Sequence, residues 1–306
     1  MKICNQLSEL ESKSVKTTVA LGTFDGVHIG HQKIIGQAVD MAKQTNTVSV
    51  VFTFQNHPLS VIDPDQCPPQ IDSLESKTAL IKKLGVDILL QVPITDEFLN
   101  LSPDKFIDLL CQYLNPACLV VGPNYSYGYK GAGDHELLKK AGLKRGFAVI
   151  VHPPVYVGNT LVSSTTIRQY IQAGKVELAA ELLGRPHQIK GPVINGDKRG
   201  RELGFPTANL SLQDGCIMPN DGVYAVYVDL DGRKYPAVAN IGNNPTFNGV
   251  SHRTEIHIID FAQDLYGQQL IVAFMAKIRD EVKFSGIEEL KKQLSHDIKT
   301  ARQYLK

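Results

Sequence analysis

Two histidines in the segment LGTFDGVHIGH (21–31) have the residue type and spacing for chemistry on an anion. His28 and His31 bracket Gly30 directly after an apolar run. A zinc-binding pair on a helix normally stands at positions i and i+4 with a glutamate between them, whereas this pair stands at i and i+3. A strand that turns into a helix at Gly30 instead offers free N–H groups and a positive helix end to a phosphate. We predict that both imidazoles donate hydrogen bonds to phosphate oxygens, with a metal pair and a structural pair as the remaining alternatives.

A second group of candidate phosphate donors lies in the segment VSSTTIRQYIQAG (162–174). Ser164 or Thr165 can cap a helix, and Arg168 then projects one turn later. The hydroxyl groups and the guanidinium therefore converge on one anion. Taken alone, the same pattern also fits a capped surface helix.

A third candidate site is the cationic, glycine-rich segment GPVINGDKRGRELGFPTANL (191–210). It is not a Walker A loop, because the GxxxxGK[ST] spacing and a following helix pattern are missing. Thr207 and Asn209 are two residues apart, so both side chains face one side of an extended segment, and their hard oxygen atoms suit Mg²⁺. The plain alternative is a polar loop before a strand.

The elements that must position these residues differ between the two halves of the chain. The first half alternates apolar runs at 17–24, 47–54, 86–92, 118–122 and 147–152 with amphipathic stretches such as 31–45 and 102–114. This order predicts an α/β doubly wound parallel sheet, whose ligands bind beyond the carboxyl ends of the strands.

The pattern changes at about residue 183 to strands with few helices between them. Asp231-Gly232 predicts a hairpin, the segments 254–260 and 270–278 read as further strands, and 287–305 reads as an amphipathic helix. We predict a small antiparallel β-barrel with a C-terminal helix, and domains at 1–182 and 183–306.

Composition limits the classes of function. The 306 residues carry a formal charge of +1, which disfavours general binding to nucleic acid or to an anionic membrane. Five cysteines without a CxxC pair argue against a disulfide framework and fit a reducing compartment. The N-terminus does not read as a signal peptide, and no run approaches the ~18 apolar residues that span a bilayer, so we predict a cytoplasmic protein.

Motifs in the first half resemble those of a known family. GTFDGVHIGH looks like the nucleotidyltransferase signature ending in H-x-G-H, in the long form found in bacterial FAD synthetases, and SSTTIR (163–168) is similar to that family's second phosphate motif. VGPNYSYGYKGAG (121–133) resembles its flavin and nucleotide loop. Asn124 stands there where an acid is frequent, and Tyr125 and Tyr127 stand where phenylalanine is usual.

The second half resembles the riboflavin kinase signature G-x-V-x-x-G-x-x-x-G-R-x-L-G-x-P-T-A-N, nearly position by position through GPVINGDKRGRELGFPTANL. The resemblance continues to residues 278–284. It implies that Glu255 is the catalytic base. Asn244 stands where a basic residue is often seen, and Arg279 is a candidate compensating flavin contact.

The resemblance therefore implies a bifunctional riboflavin kinase/FAD synthetase that uses ATP and Mg²⁺. The second half would phosphorylate riboflavin to FMN, and the first half would transfer an adenylyl group from ATP to FMN. The FMN phosphate is already mostly dianionic, since its second pKa is ~6, so adenylyl transfer requires no general base. One retained activity, a non-catalytic flavin or nucleotide sensor, and weak homo-oligomerisation all stay open.

The resemblance assigns the candidate residues to four groups. The catalytic group is His28, His31, Arg168 and Glu255; nucleotide and phosphate contacts are Gly22, Phe24, Asp25, Gly26, Gly30, Asn124, Ser164, Thr165, Gly196, Lys198, Gly200 and Arg201; flavin contacts are Tyr125, Tyr127 and Arg279; metal ligands are Thr207 and Asn209.

Overall fold

The chain divides into two units, Met1–Ser163 and Ser164–Lys306, in the computed structural model. The structure describes residues 1–10, 15–195, 203–211, 215–246 and 249–305, with side chains left undescribed at 243–246 and 249–253. Within the described part of the chain, no helix combines the length and apolarity needed to cross a membrane.

The first unit has a sheet flanked by helices. Its elements are β1 (Lys2–Cys4), β2 (Thr17–Leu21), α1 (Ile29–Thr45), β3 (Val48–Phe54), α2 (Leu59–Ile62), α3 (Leu74–Lys83), β4 (Ile88–Val92), α4 (Asp96–Leu99), α5 (Pro103–Leu114), β5 (Pro116–Val121), β6 (Ser126–Tyr127), β7 (Gly133–Asp134), α6 (His135–Arg145), β8 (Ala148–Val151), β9 (Tyr156–Val157) and β10 (Thr160–Leu161).

The main sheet has six strands in the order β1-β4-β3-β2-β5-β8, and every pairing within it is parallel. Successive side chains of β2 enter different cores because they alternate between the faces of the sheet: Val19 and Leu21 pack in one apolar cluster and Ala20 in another. The predicted doubly wound parallel sheet is confirmed. The chain moves outward from β2 in both directions, so the switch point lies between β2 and β5.

The strand predicted over 17–24 ends earlier, at Leu21. Phe24 (φ 49°), Gly26 (φ 81°) and Val27 (φ 32°) all have left-handed backbone conformations, which a β-strand cannot contain. The helix predicted from residue 31 begins at Ile29. In α5 the predicted start is confirmed: Ser102 caps the helix by accepting a hydrogen bond from Lys105 N, with Pro103 at its first position.

The second unit begins with two helices and continues as a barrel. Its elements are α7 (Ser164–Gln172), α8 (Val176–Leu183), β11 (His187–Ile194), β12 (Ala208–Leu210), β13 (Gly222–Leu230), β14 (Arg233–Thr246), β15 (Gly249–Ile258), β16 (Gln269–Arg279) and α9 (Ile287–Tyr304).

The six strands close into an antiparallel barrel in the order β11-β12-β15-β14-β13-β16, as predicted. Asp231 and Gly232 join β13 to β14 with φ values of 52° and 82°, as a tight two-residue hairpin turn requires. Tyr224 and Phe274 fill the barrel interior, and Ala301 of α9 packs in a separate apolar cluster with Ala225 and Ala276. The C-terminal helix was also predicted.

The helices α7 and α8 belong to the barrel unit. Val176 of α8 is fully buried among the apolar side chains of the barrel interior. Gly174, between the two helices, lies so close to Asn220 and Tyr224 that a Cβ there would clash with Asn220 Oδ1. The domain boundary predicted between residues 182 and 183 falls at the last residue of α8 and stays a prediction.

Candidate functional site

His28 caps helix α1 with its own ring. As the N-cap residue, His28 accepts a hydrogen bond from His31 N at its Nδ1 atom, at 3.2 Å. An imidazole that accepts at Nδ1 and is neutral carries its proton on Nε2. The ring of His28 and the first N–H groups of α1, those of Ile29 and Gly30, thus lie together at the start of the helix.

His31 is held as a neutral ring. Its imidazole stacks on that of His28, with centroids 3.5 Å apart and an interplanar angle of 17°, and Phe24 contacts it edge-on at 5.2 Å. Burial lowers the pKa of His31 well below its usual value, and electrostatic interactions with His28 and with the Lys77 ammonium lower it further. Its Nδ1 atom is buried and has no hydrogen-bond partner among the described residues. A buried nitrogen of this kind suits a ligand-binding site.

The loop between β2 and α1 is strained and tightly held. Phe24 and Val27 are non-glycine residues at positive φ, which costs free energy and is typical of functional sites. Thr53 Oγ1 donates to Thr23 O at 2.9 Å, and Gln32 Nε2 donates to Val27 O at 2.8 Å. These bonds fix the backbone that leads into His28.

Two glycines of this loop make room for rings. A Cβ on Gly22 would lie 3.0 Å from the ring of Phe24, and a Cβ on Gly30 would lie 3.1 Å from the ring of His28. The close approach of the Gly30 backbone to a ligand stays a prediction, and the structure adds a packing reason for this glycine.

Asp25 makes a structural contact that the sequence did not indicate. Its Oδ1 atom accepts a hydrogen bond from Ile71 N at 3.0 Å, and the side chain of Ile71 lies against Gly26. Asp25 thus ties the strained loop to the segment that precedes α3. Its predicted contact with a nucleotide stays a prediction.

The predicted nucleotide and flavin residues on the loop after β5 differ in how much of each side chain is exposed. Asn124 is exposed, and Tyr125 is half-buried with its ring 5.8 Å from that of Tyr127. Tyr127 is only 6% exposed and packs on Phe106 and over Gly133, so its ring belongs to the core. Burial raises the pKa of Tyr127 to about 12. Tyr125 is thus more exposed than Tyr127, and the predicted flavin contacts of both residues stay predictions.

Ser164, Thr165 and Arg168 lie on α7, in the barrel unit. The helix begins at Ser164, so both hydroxyl residues stand in its first turn and Arg168 follows one turn later. The sequence predicted Ser164 or Thr165 as the cap of this helix, whereas both lie inside it. Their convergence with Arg168 on an anion stays a prediction.

Lys77 is a candidate that the sequence analysis missed. It lies on α3, and its Nζ atom donates to Phe54 O at 2.6 Å and to Thr23 O at 3.5 Å. Nothing in SLESKTALIKK distinguishes Lys77 from Lys82 and Lys83, which are exposed on the same helix.

The barrel brings Glu255 and Asn209 together. They are direct partners across the antiparallel pair β12–β15, and Asn240 is the partner of Glu255 on β14. Side chains of such partners are about 5 Å apart at Cβ. The alternate residues Ala208 and Ile256 pack with the barrel interior, so Glu255 and Asn209 share the outer face. A carboxylate and a buried amide thus stand side by side.

Thr207 lines a cavity of about 390 Å³ beside this pair of strands. The volume falls within the range of small-molecule sites, and the walls combine apolar side chains with a few polar groups. The cavity is lined by Val193, Pro206, Thr207, Ala208, Ile256, Ile258, Phe261, Ala262, Gln263, Asp264, Leu265 and Tyr266. The predicted phosphate residues Gly196, Lys198, Gly200 and Arg201 lie outside the described residues.

Arg279 makes a buried ion pair with α9. Its Nη2 atom lies 2.7 Å from Asp297 Oδ2, its Nε atom donates to Oδ1 at 2.9 Å, and Asp297 is 1% exposed. Gln293 Nε2 donates to the same carboxylate at 2.8 Å. The guanidinium therefore joins β16 to α9, and its predicted flavin contact stays a prediction.

We expect Asp297→Ala to lower the free energy of unfolding of the barrel unit by about 3 kcal/mol, because it leaves the Arg279 guanidinium largely buried without its counter-charge. Arg302→Ala is the matched control, since it removes the exposed pair with Asp260, and it is expected to cost below about 1 kcal/mol. Urea unfolding of the full chain, followed by hydrogen exchange of barrel peptides, measures both. Equal losses of unfolding free energy in the two variants would contradict a stabilising role for the buried Arg279–Asp297 ion pair.

These features place one candidate site at the carboxyl ends of a parallel sheet and another on a barrel. Comparison with known proteins identifies the class. The family model described as FAD synthetase matches residues 10–166, and the model described as riboflavin kinase matches residues 183–305.

Relatives that align with nearly the whole chain have names that state both activities. The bifunctional riboflavin kinase/FMN adenylyltransferase of Bacillus subtilis (strain 168) is 39% identical over 96% of this chain and 94% of its own length. Its namesake from Escherichia coli (strain K12) is 38% identical over 94% and 92%. A solved structure described as a macrolide-efflux protein from Streptococcus pneumoniae superposes with a TM-score of 0.90 at 34% identity, over 98% of each chain. The chain belongs to the bifunctional riboflavin kinase/FMN adenylyltransferase family.

Proposed function

We propose that this protein makes FMN from riboflavin and ATP in its barrel unit, and FAD and pyrophosphate from FMN and ATP at the site of its parallel-sheet unit. The observation that carries the proposal is that each family model falls on a part of the chain with its own arranged polar groups. These groups are the His28–His31 pair after β2 and the Asn209–Glu255 pair of the barrel.

In the kinase reaction the acceptor is a neutral hydroxyl of the ribityl chain. The carboxylate of Glu255 accepts its proton as the oxygen attacks the terminal phosphorus of ATP, and the bond between that phosphorus and the departing ADP breaks. The side-chain oxygen of Asn209, beside the carboxylate of Glu255, and the hydroxyl of Thr207 are hard donors of the kind that Mg²⁺ prefers, so these residues are the proposed ligands of the metal. When bound, Mg²⁺ would neutralise charge on the transferred phosphate.

In the adenylyl transfer the nucleophile is the phosphate of FMN, which is already an anion. It attacks the α-phosphorus of ATP, and the bond to pyrophosphate breaks. The donor Nε2–H of His28, the neutral ring of His31 and the N-terminus of α1 stabilise charge on the departing phosphates. Ser164, Thr165 and Arg168, whose sequence resembles the family's second phosphate motif, are further candidates for phosphate contacts. A histidine general base is not part of this mechanism.

The proposal includes the setting of the reactions. The partners are riboflavin, FMN and ATP, with Mg²⁺ as the cation, in a cytoplasmic protein that binds neither nucleic acid nor membranes. The net charge of +1 supports the absence of polyanion binding.

A timed product analysis tests the proposal. Purified protein with riboflavin, ATP and Mg²⁺ is expected to yield FMN first and FAD later, as resolved by chromatography. A second incubation starts from FMN, so that the two steps are measured separately. If neither product forms, with oxidised or reduced flavin, the enzymatic function is refuted. Tight flavin binding by calorimetry without ATP turnover would then identify a sensor.

A further inference from the structure

Lys77 closes a polar crevice at the carboxyl ends of β2 and β3. The crevice is lined by the segments that follow these two strands, among them Thr23 and His57, and by α3. Lys77 Nζ reaches both strand ends, since it donates to Phe54 O at 2.6 Å and to Thr23 O at 3.5 Å. The edge of the sheet that carries His28 therefore holds a cation as well.

Charged and titratable groups face this ammonium from each element around it. Asp25 comes from the loop after β2, Asp72 from the turn before α3, His57 from the segment after β3, and His31 from α1. Asp72 is only 8% exposed. Burial lowers the pKa of Lys77 to about 8, although the carboxylates of Asp25 and Asp72 oppose this shift.

Burial of the Lys77 ammonium would cost free energy if its role were only to stabilise the fold. Withdrawing an ammonium from water costs free energy, and a well-packed apolar side chain in its place is often equally stable. A cation that is nevertheless retained at a strand-end crevice, beside the two stacked imidazoles, indicates a role in the site.

We propose that Lys77 is a positioning residue for adenylyl transfer, whose ammonium group binds the carbonyls of Thr23 and Phe54 and so holds the strained 22–28 loop with His28 aimed at the nucleotide phosphates. Lys77 acts through the backbone and need not touch the substrate. Its positive charge also favours the neutral form of the His31 ring. This inference rests on the proposed adenylyltransferase function.

Substitution of Lys77 gives a direct test. Lys77→Met keeps most of the length of the side chain but removes the three N–H donors, so the contacts with Thr23 O of the loop and with Phe54 O at the end of β3 are both lost. We expect kcat for FMN adenylation to fall by about 10- to 100-fold, with a smaller change in KM, because orientation of the phosphate donors is lost. Lys82→Met on the exposed face of α3 is the matched control and is expected to retain wild-type adenylation. Riboflavin phosphorylation in the same preparations provides an internal reference and should stay within about twofold.

The pH profile separates this role from simple packing. The ammonium is charged below about pH 8 and loses its proton as the pH rises through that value. Adenylation by the wild type should therefore decline on the alkaline side of about pH 8. Lys77→Arg stays charged throughout, so the decline should disappear even if the variant is slower. If Lys77 served only in packing, this decline, the alkaline limb of the pH profile, would be the same in Lys77→Arg as in the wild type.

The outcomes are distinct. Wild-type adenylation by Lys77→Met, or an unchanged alkaline limb in Lys77→Arg, would overturn the inference while leaving the proposed function intact. Failure of the wild type to make FAD from FMN would refute the proposed function itself. Loss of rate in Lys77→Met together with loss of the limb in Lys77→Arg is the result that supports the inference.

Discussion

Glu255→Gln is expected to lower the rate of FMN formation from riboflavin by about 10²- to 10⁴-fold, the usual contribution of a general base. Glutamine keeps the shape of the side chain and its place beside Asn209, but it cannot accept the hydroxyl proton. The variant should still convert added FMN to FAD at the wild-type rate. Product chromatography with riboflavin or FMN as the starting flavin measures the two rates.

One control variant and two contrary outcomes test this prediction. Glu288→Gln removes a carboxylate that is exposed on α9 and should change neither rate. If Glu255→Gln phosphorylates riboflavin normally, Glu255 is not the base. If it loses both activities, the two reactions do not occupy separate sites.

His28→Asn is expected to lower FMN adenylation by about 10²- to 10³-fold, the cost of removing one donor that stabilises charge in the transition state. Asparagine is a good N-cap residue, so helix α1 should keep its start while the Nε2–H donor is lost. Riboflavin phosphorylation should be unchanged. Initial rates of FAD formation from FMN measure the effect.

His28→Ala separates capping from chemistry. It removes both the donor and the cap, so the same loss of rate should come with a loss of about 1 kcal/mol in stability. His135→Asn, at the start of α6, is the control for a histidine outside the site. Near-normal FAD formation by His28→Asn would show that the ring serves only as a cap.

The fold of the first unit followed largely from its sequence pattern, and the site followed only in part. Apolar runs identify buried parallel strands, but they do not reveal backbone conformation, so β2 was predicted to include Phe24. The positive φ values of Phe24 and Val27 depend on tertiary contacts such as the Thr53 bond to Thr23 O. The capping role of His28 was missed because the spacing alone does not show which ring atom is already bonded.

In the barrel, the spacing of residues along the chain predicted one part of the candidate site, and another part depends on how the strands pair. The two-residue spacing of Thr207 and Asn209 suggested a shared side of an extended segment. The position of Glu255 opposite Asn209 depends on strand register, which the sequence does not specify by itself. The burial of Tyr127 likewise required the three-dimensional contacts with Phe106 and Gly133. Lys77 joins the site only because α3 packs against the ends of two strands.

The placement of α7 bears on how such a chain could be rearranged during evolution. Arg168 and its neighbouring hydroxyl residues resemble the second phosphate motif of FAD synthetases, yet their helix belongs to the same unit as the barrel. A recombination event that exchanged this unit as one piece would carry Arg168 with the kinase. The descendant would inherit part of the adenylyltransferase signature from one parent and the histidine pair from the other.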